Sequence, residues 1–335
     1  MGFQFSKTLV LSAGIMAAGA SLASAQSLVI ATDKAGSLFN AMGAGFAKTV
    51  TDAGQVRVLV RPFAGPDAYL DALNKGELQL AALSAPGTHV AVRGFNKLRR
   101  KYKNLRIIRS GRGSIKLGFI VPKSSSVKSL AELKGKKIPA EFGGHAILQR
   151  SVGGGLKTAG LSWNDVQKVP VTGTVDAIRA LGTGRVDATW APLGMPAVRE
   201  VNAKIGIRYL SFPDTPEALA IMRKSLFPGA LLIKSHPIPP LGVMKPTVML
   251  TFDSYLLAHK DVKPVVIEKV LNGLWDKTGA LVKIHPSLRA FTHKSAVTDI
   301  PLTPYHPAAV VFYKKKGVWN DAAEAANNKI KAVVK

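Results

Sequence analysis

The chain contains no cysteine among its 335 residues, which excludes a disulfide framework, a thiolate nucleophile and any cysteine-ligated metal. That absence suits an oxidising compartment, where a free thiol is a liability. Acidic side chains are scarce, 20 against 46 lysines and arginines, for a formal net charge of +26. The 7 histidines show neither H-x-x-x-H nor H-x-H spacing, so no metal site is expected. No G-x-S-x-G is present, and no run beyond the first 25 residues is long and apolar enough to cross a membrane. What is plentiful is apolar residue, 47% of the chain, with glycine and proline spread throughout. This is the composition of folded domains, not of disorder.

The first residues read as an export signal. Lys7 is the only charge in residues 1–25, Thr8–Ala20 is apolar or small, and Ala23-Ser24-Ala25 before Gln26 has the A-x-A form of a cleavage site. The run is short for a bilayer span of about 20 residues. Cleavage between Ala25 and Gln26 is therefore expected to release a soluble periplasmic protein with a net charge of +25, the full value less Lys7. Such a charge suggests nucleic acid as a partner. Export argues against it, and so does the scatter of the basic residues, which cluster only briefly at Lys97–Lys103, Lys134–Lys137 and Lys314–Lys316 with no interleaved aromatics. A solvated surface is the reading, with a field that favours anionic ligands.

One stretch organises the rest. Asp176–Pro196 partly repeats Tyr69–Gly87: Leu70, Ala72, Leu73, Gly76, Leu78 and Ala81 fall where Ile178, Ala180, Leu181, Gly184, Val186 and Thr189 fall later. Each copy reads as a helix closed by glycine, a short buried strand, and a loop of small residues and proline. Two copies imply two α/β lobes, each with a mainly parallel sheet, facing each other across a cleft. Strands are expected at Ser27–Thr32, Val56–Pro62, Asn104–Arg109 and Lys116–Val121, then Lys137–Glu141, Val166–Val171 and Ile207–Ser211. Long helices are expected at Leu38–Ala53, His145–Ala159 and Val265–Lys277, and a short one at Ser129–Lys134 capped by Ser124–Ser126. The Pro-rich segment His236–Pro246 leads back into a strand at Thr247–Leu256. The expected division is 26–121 plus 247–335 for one lobe and 122–246 for the other, joined by two crossings that act as a hinge.

Catalytic signatures are near misses. Gly155–Gly160 has the glycine spacing of a P-loop, but Leu161-Ser162 stands where Lys-Ser/Thr is required. Ser125-x-x-Lys128 fits a nucleophile pattern, yet it sits in the expected helix cap. No enzyme activity and no cofactor are expected. The remaining candidates are binding residues. Gly36 and Ser37 lie between a strand and a helix, where amides and a hydroxyl face an anion. Gly144 and His145 open a helix in the same way, Arg112 between two glycines is suited to fork onto a carboxylate, and Trp190 is placed to cover an apolar stem.

These features resemble the TAXI family of TRAP-transporter solute receptors over nearly the whole chain. The family's G-T-G-S-T-G-G-x-Y-Y-P-x-G corresponds to Ala31–Gly43, with Thr32, Gly36 and Gly43 matching and Phe39 at the first tyrosine. Ala64–Ala81, S-L-A-E-L-K-G-K-K (Ser129–Lys137), Val186–Ala188 with Gly194-x-Pro196, and His306-Pro307-x-Ala309-x-x-x-Tyr313 are also similar. The departures fall in the loops: Ser84-Ala85-Pro86 replaces Q-S-D, Gly144-His145-Ala146-Ile147 replaces G-S-G-T, Arg112 stands near a family tyrosine, and Asn40 takes the second tyrosine's place. The resemblance implies a two-lobed periplasmic-binding-protein fold of type II, monomeric, holding a small anionic organic solute such as a glutamate-like dicarboxylate for TRAP-type permease subunits. The ligand-binding residues it and the motifs suggest are Thr32, Gly36, Ser37, Phe39, Gly65, Ser84, Arg112, Gly144, His145, Trp190 and Gly194. A receptor of the same fold serving an ABC importer of sulfonates or phosphonates, and a sensor-associated receptor, are the alternatives.

Overall fold

The computed structural model describes residues 1–2, 27–94 and 101–334. The expected signal segment, apart from Met1 and Gly2, lies outside the described residues. In chain order the elements are strand β1 (Leu28–Thr32), helix α1 (Leu38–Asp52), β2 (Val58–Pro62), α2 (Leu70–Lys75), β3 (Leu80–Ser84), α3 (Ala85–Arg93) and the long β4 (Leu105–Pro122). Next come β5 (Lys137–Ala140), α4 (Ala146–Lys157), β6 (Gln167–Pro170), α5 (Thr174–Gly182), β7 (Thr189–Pro192), α6 (Pro196–Ile205), β8 (Ile207–Tyr209), α7 (Pro216–Ser225) and β9 (Leu231–Ser235). The chain returns along β10 (Thr247–His259) and finishes in α8 (Pro264–Asp276), α9 (Thr278–Ile284), α10 (Pro307–Lys315) and α11 (Asp321–Val334).

The local causes are those of the sequence pattern. In α1, Leu38, Met42, Phe46 and Val50 recur every fourth residue and are all buried, one apolar stripe worth about 1.5–3 kcal/mol per side chain. Ser37 caps that helix by accepting from the Asn40 amide at 3.0 Å. Both repeated helices are followed by a left-handed glycine, Gly76 at φ +82° and Gly184 at φ +75°, a conformation that glycine takes without steric cost. Beyond the repeated strands there is less loop than the pattern suggests. Ser84 ends β3 and caps α3, accepting from the Gly87 amide at 3.1 Å, and Pro196 begins α6 at its first position.

The sheet is mixed, where the sequence suggests a mainly parallel one in each lobe. β1 runs parallel to β2 and β3, and β5 runs parallel to β6 in a separate pair. The rest is antiparallel: β10 pairs with β3, β4 and β9, and β4 with β7 and β8. The expected strands 104–109 and 116–121 are one strand of 18 residues, and the return strand runs to His259. The chain leaves the first half along β4 and comes back along β10, so the two crossings are neighbours, and an outward path paired with its own return must be antiparallel.

The β4–β10 ladder is irregular at one place. Register is lost between Phe252 and Ser254, opposite Ile115 and Gly111, so that Arg112, Gly113 and Ser114 face Asp253 alone, as in a β-bulge. Gly113 takes φ +58° and donates its amide to Asp253 Oδ1 at 2.8 Å. On one side of this bulge β10 pairs with β3, and on the other with β9. The C-terminal segment closes on the first side: His306 accepts from the Ala308 amide at the start of α10, and the Tyr313 hydroxyl donates to Ile108 O at 2.7 Å.

Candidate functional site

Five helices begin around one cavity. The starts of α1 (Ser37, Leu38, Phe39) and α3 (Ser84, Pro86) come from one side, and those of α4 (His145, Ile147, Leu148), α5 (Thr174) and α6 (Met195) from the other, with Trp190 and Pro192 at the end of β7. Ile115, Leu117 and Phe252, just beyond the bulge on β4 and β10, form the back wall. The cavity leaves about 60 Å³ to the centres of water-sized molecules, several times what one water needs. A roomier but more open depression lies at the opposite end of the first half's strands, around Leu28, Gly76, His259 and Val266, away from every helix start named here. The less open cavity, into which several helix starts converge, is the better candidate for a solute site.

Its walls are mostly apolar. Trp190 is 3% exposed and packs edge-on between Phe119 at 5.1 Å and Phe212 at 5.9 Å. The charged lining residue is Asp33, on the loop after β1, with His145 facing it: Nε2 lies 3.7 Å from Asp33 Oδ2, too far for a hydrogen bond. Asp33 Oδ1 is buried and has no hydrogen-bond partner among the described residues. Burial, reinforced by the charge of Asp67, pushes the Asp33 carboxyl up to about 7, while burial pulls the His145 imidazole down to about 4. No lysine or arginine lines this cavity.

Where the two sides meet, backbone touches backbone. A Cβ on Gly65 would stand 2.1 Å from Gly144 O, and one on Gly144 would stand 3.2 Å from the Ala64 carbonyl. The Ala197 amide donates to Gly36 O at 3.2 Å, and the Ala146 amide to Asp67 Oδ2 at 3.0 Å. These contacts bring the two sides together around a cavity that stays partly open to solvent.

The residues singled out from the sequence divide into four groups. Ser37, Phe39, Ser84, His145 and Trp190 line the cavity. Gly36, Gly65 and Gly144 form the contacts that shut it, and Thr32 and Gly194 stand behind it. Thr32 Oγ1 accepts from Asn40 Nδ2 at 3.0 Å and fixes α1 to β1; Gly194, at φ +74°, turns the chain into Met195. Arg112 is elsewhere: its side chain is 59% exposed and pairs with Asp299 at 2.9 Å on the surface of the bulge. Sequence reasoning passed over Asp33 although it lies in the first motif, where the family pattern has glycine. It also passed over Ile115, Leu117 and Phe252, because splitting β4 hides the alternation that carries Ile115, Leu117 and Phe119 to one face. Among the described residues there is no cluster of three metal-ligating side chains and no helix long and apolar enough to cross a membrane.

Comparison with known proteins bears on the fold. A family model described as the NMT1-like family matches residues 30–317. A solved structure described as a periplasmic transporter superposes with a TM-score of 0.56 at 14% identity, over 91% of this chain and 96% of that one. A TctC solute binding protein from Polaromonas gives 0.46 at 13% identity, over 92% and 97%. The periplasmic aliphatic sulphonate binding protein from Escherichia coli gives 0.43 at 17%, over 91% of each chain. No curated protein sequence matches the chain.

Proposed function

This chain belongs to the NMT1-like family, and from that premise we propose that it is an extracytoplasmic receptor that closes on a small organic solute and delivers it to a membrane transporter. The observation that carries the reading is the partly enclosed cavity lined from both halves, with the bulge in β4 and β10 at its back. The fold, an α/β fold with a mixed sheet like that of periplasmic binding proteins, supports it. The function needs a site that opens to water and shuts without chemistry. The bulge is the hinge in this reading. Residues before it on β4 and after it on β10 move with β1–β3, and the remainder of both strands moves with β7–β9.

The solute has an apolar body, held by Phe39, Trp190, Leu117 and Phe252, and one polar end near Asp33 and His145. The Ser129–Lys137 and His306–Tyr313 motifs favour a TRAP-type permease as the recipient, and the A-x-A at Ala23–Ala25 favours the periplasm as the place of work. An anionic solute has lost its main support, since Arg112 is engaged by Asp299 outside the cavity.

The test is a thermal-shift screen of residues 26–335 against small carboxylates, amino acids, amines, alcohols and sulfonates. A true solute raises stability by about 2.7 kcal/mol at a hundredfold excess over its Kd. It should also contract the scattering radius of gyration, and its affinity should drop on Phe39→Ala. A complete absence of shifts across all these classes would sink the receptor reading. Reconstituted uptake with the permease, with and without this protein, tests the transporter partner.

A further inference from the structure

Helix starts supply positive ends, and five of them around a cavity would ordinarily argue for an anion. Here the protein's own acceptors occupy four of them, and a carboxylate stands at the fifth. Ser37 Oγ takes the Asn40 amide of α1 at 3.0 Å, and Ser84 Oγ takes the Gly87 amide of α3 at 3.1 Å. Asp67 takes the Ala146 amide of α4 at 3.0 Å. At α5 the carboxylate of Asp176, in the first turn, puts a negative charge beside the helix start and accepts from the Thr172 amide at 2.9 Å, and α6 opens with Pro196, which has no amide hydrogen, followed by Ala197, whose amide goes to Gly36 O. The one buried polar side-chain atom of the lining that lacks a partner is an acceptor, Asp33 Oδ1. Asp33 is 5% exposed.

Resting on the receptor reading, we infer that the solute is a small apolar amine whose ammonium group donates to Asp33 Oδ1 while its hydrocarbon part lies against Phe39, Leu117 and Trp190. A buried carboxylate oxygen without a donor is costly, and a cation brought by the ligand removes that cost. The groups around Asp33 are Lys34 beside it on an exposed loop position, Tyr69 and Asp67 from the segment leading into α2, His145 from the start of α4 and Asp176 from the first turn of α5. No buried cation stands among them, because the imidazole is neutral above about 4. With no buried counterion, Asp33 holds a proton up to about 7. The ammonium displaces that proton to solvent, so that binding below neutrality releases about one proton per solute.

The experiment is calorimetry of residues 26–335 with 2-phenylethylamine, 2-phenylethanol and 3-phenylpropanoate, three probes of similar shape whose ends are a cation, a neutral donor and an anion. The amine is expected to bind at least tenfold more tightly than the other two. Asp33→Asn should reduce its affinity about a hundredfold, as loss of one partner of a buried charged pair does. Proton release, measured on the unaltered protein at pH 6 in two buffers of different ionisation enthalpy, gives the same answer if that variant does not fold. Equal or tighter binding of the alcohol or the carboxylate, or amine binding without proton release, overturns the inference and leaves the receptor reading standing. If no probe binds while the broad screen finds some other solute, the amine is likewise overturned. Silence in both screens removes the receptor reading itself.

Discussion

Replacing His145 by glutamine should expose a pH dependence that the unaltered protein conceals. In the unfolded chain Asp33 titrates at its ordinary 3.8 and His145 at 6.5, whereas in the folded protein the carboxyl is raised to about 7 and the imidazole lowered to about 4. Between pH 4 and 6.5 the unfolded pair therefore carries its one proton on the imidazole, and the folded pair carries it on the carboxyl. Both states bind the same number, so this pair contributes no slope to stability. Without the imidazole, the folded state alone holds a proton on Asp33, and stability should fall as pH rises, by about 1.4 kcal/mol per pH unit, to a total of about 4 kcal/mol by pH 7. Asp33→Asn should do the opposite: the unfolded His145 is protonated and the folded one is not, so stability is lost as pH falls from 6.5 to about 4, by about 3 kcal/mol in all. Urea denaturation at half-unit steps from pH 4 to 7, each variant subtracted from the unaltered protein, isolates these slopes from other titrations. Two flat difference curves would refute the assignment of a neutral acid facing a neutral imidazole.

Three further expectations follow from the closed geometry. Gly65→Ala places a methyl 2.1 Å from Gly144 O; the protein should fold with near-normal melting, hold an open conformation by scattering, and bind its solute at least tenfold more weakly, about 1.4 kcal/mol. Arg112→Ala breaks a surface pair whose partners are 59% and 58% exposed; it should leave solute affinity unchanged in calorimetry and shift stability by less than about 1 kcal/mol. Gly155→Ala sets a methyl 2.7 Å from the Phe119 ring and 2.8 Å from Trp190; it should cost about 1–3 kcal/mol in chemical denaturation and change indole fluorescence, and an unchanged spectrum would contradict the packing of Trp190.

Periodicity in the sequence was enough to locate the long helices α1, α4 and α8 within two residues, because each buries one stripe and ends where glycine, threonine or a lysine-bearing turn ends it. The repeated helix, glycine and strand were visible for the same local reason. Strand direction was not, since parallel and antiparallel neighbours draw on the same apolar runs and differ only in where the chain goes next. Gly111, Arg112 and Gly113 made β4 look broken, and the burial of Arg109, which donates to Phe291 O at 2.7 Å, depends on a partner 182 positions away that no local pattern reveals. At the site, residues on helix starts were legible from their loop positions. Asp33 was not, because its chemistry comes from being covered by residues on α4 and near Asp67, distant in the chain. The family-like motif at His306–Tyr313 proves to be scaffold: it ties α10 to β4 and lies away from the cavity.

The pairing of β4 with β10 on both sides of one bulge has a mechanical corollary. Two separate linkers would let the halves twist, slide and swing independently; two strands laced together behave like the spine of a book, permitting one fold line and resisting shear. On the proposed hinge, each shutting brings Gly65 to Gly144 and Gly36 to Ala197 in the same register, with no search among misaligned encounters. The covers of such a book can be reprinted freely, since the side chains at the helix starts take no part in the binding that holds its pages.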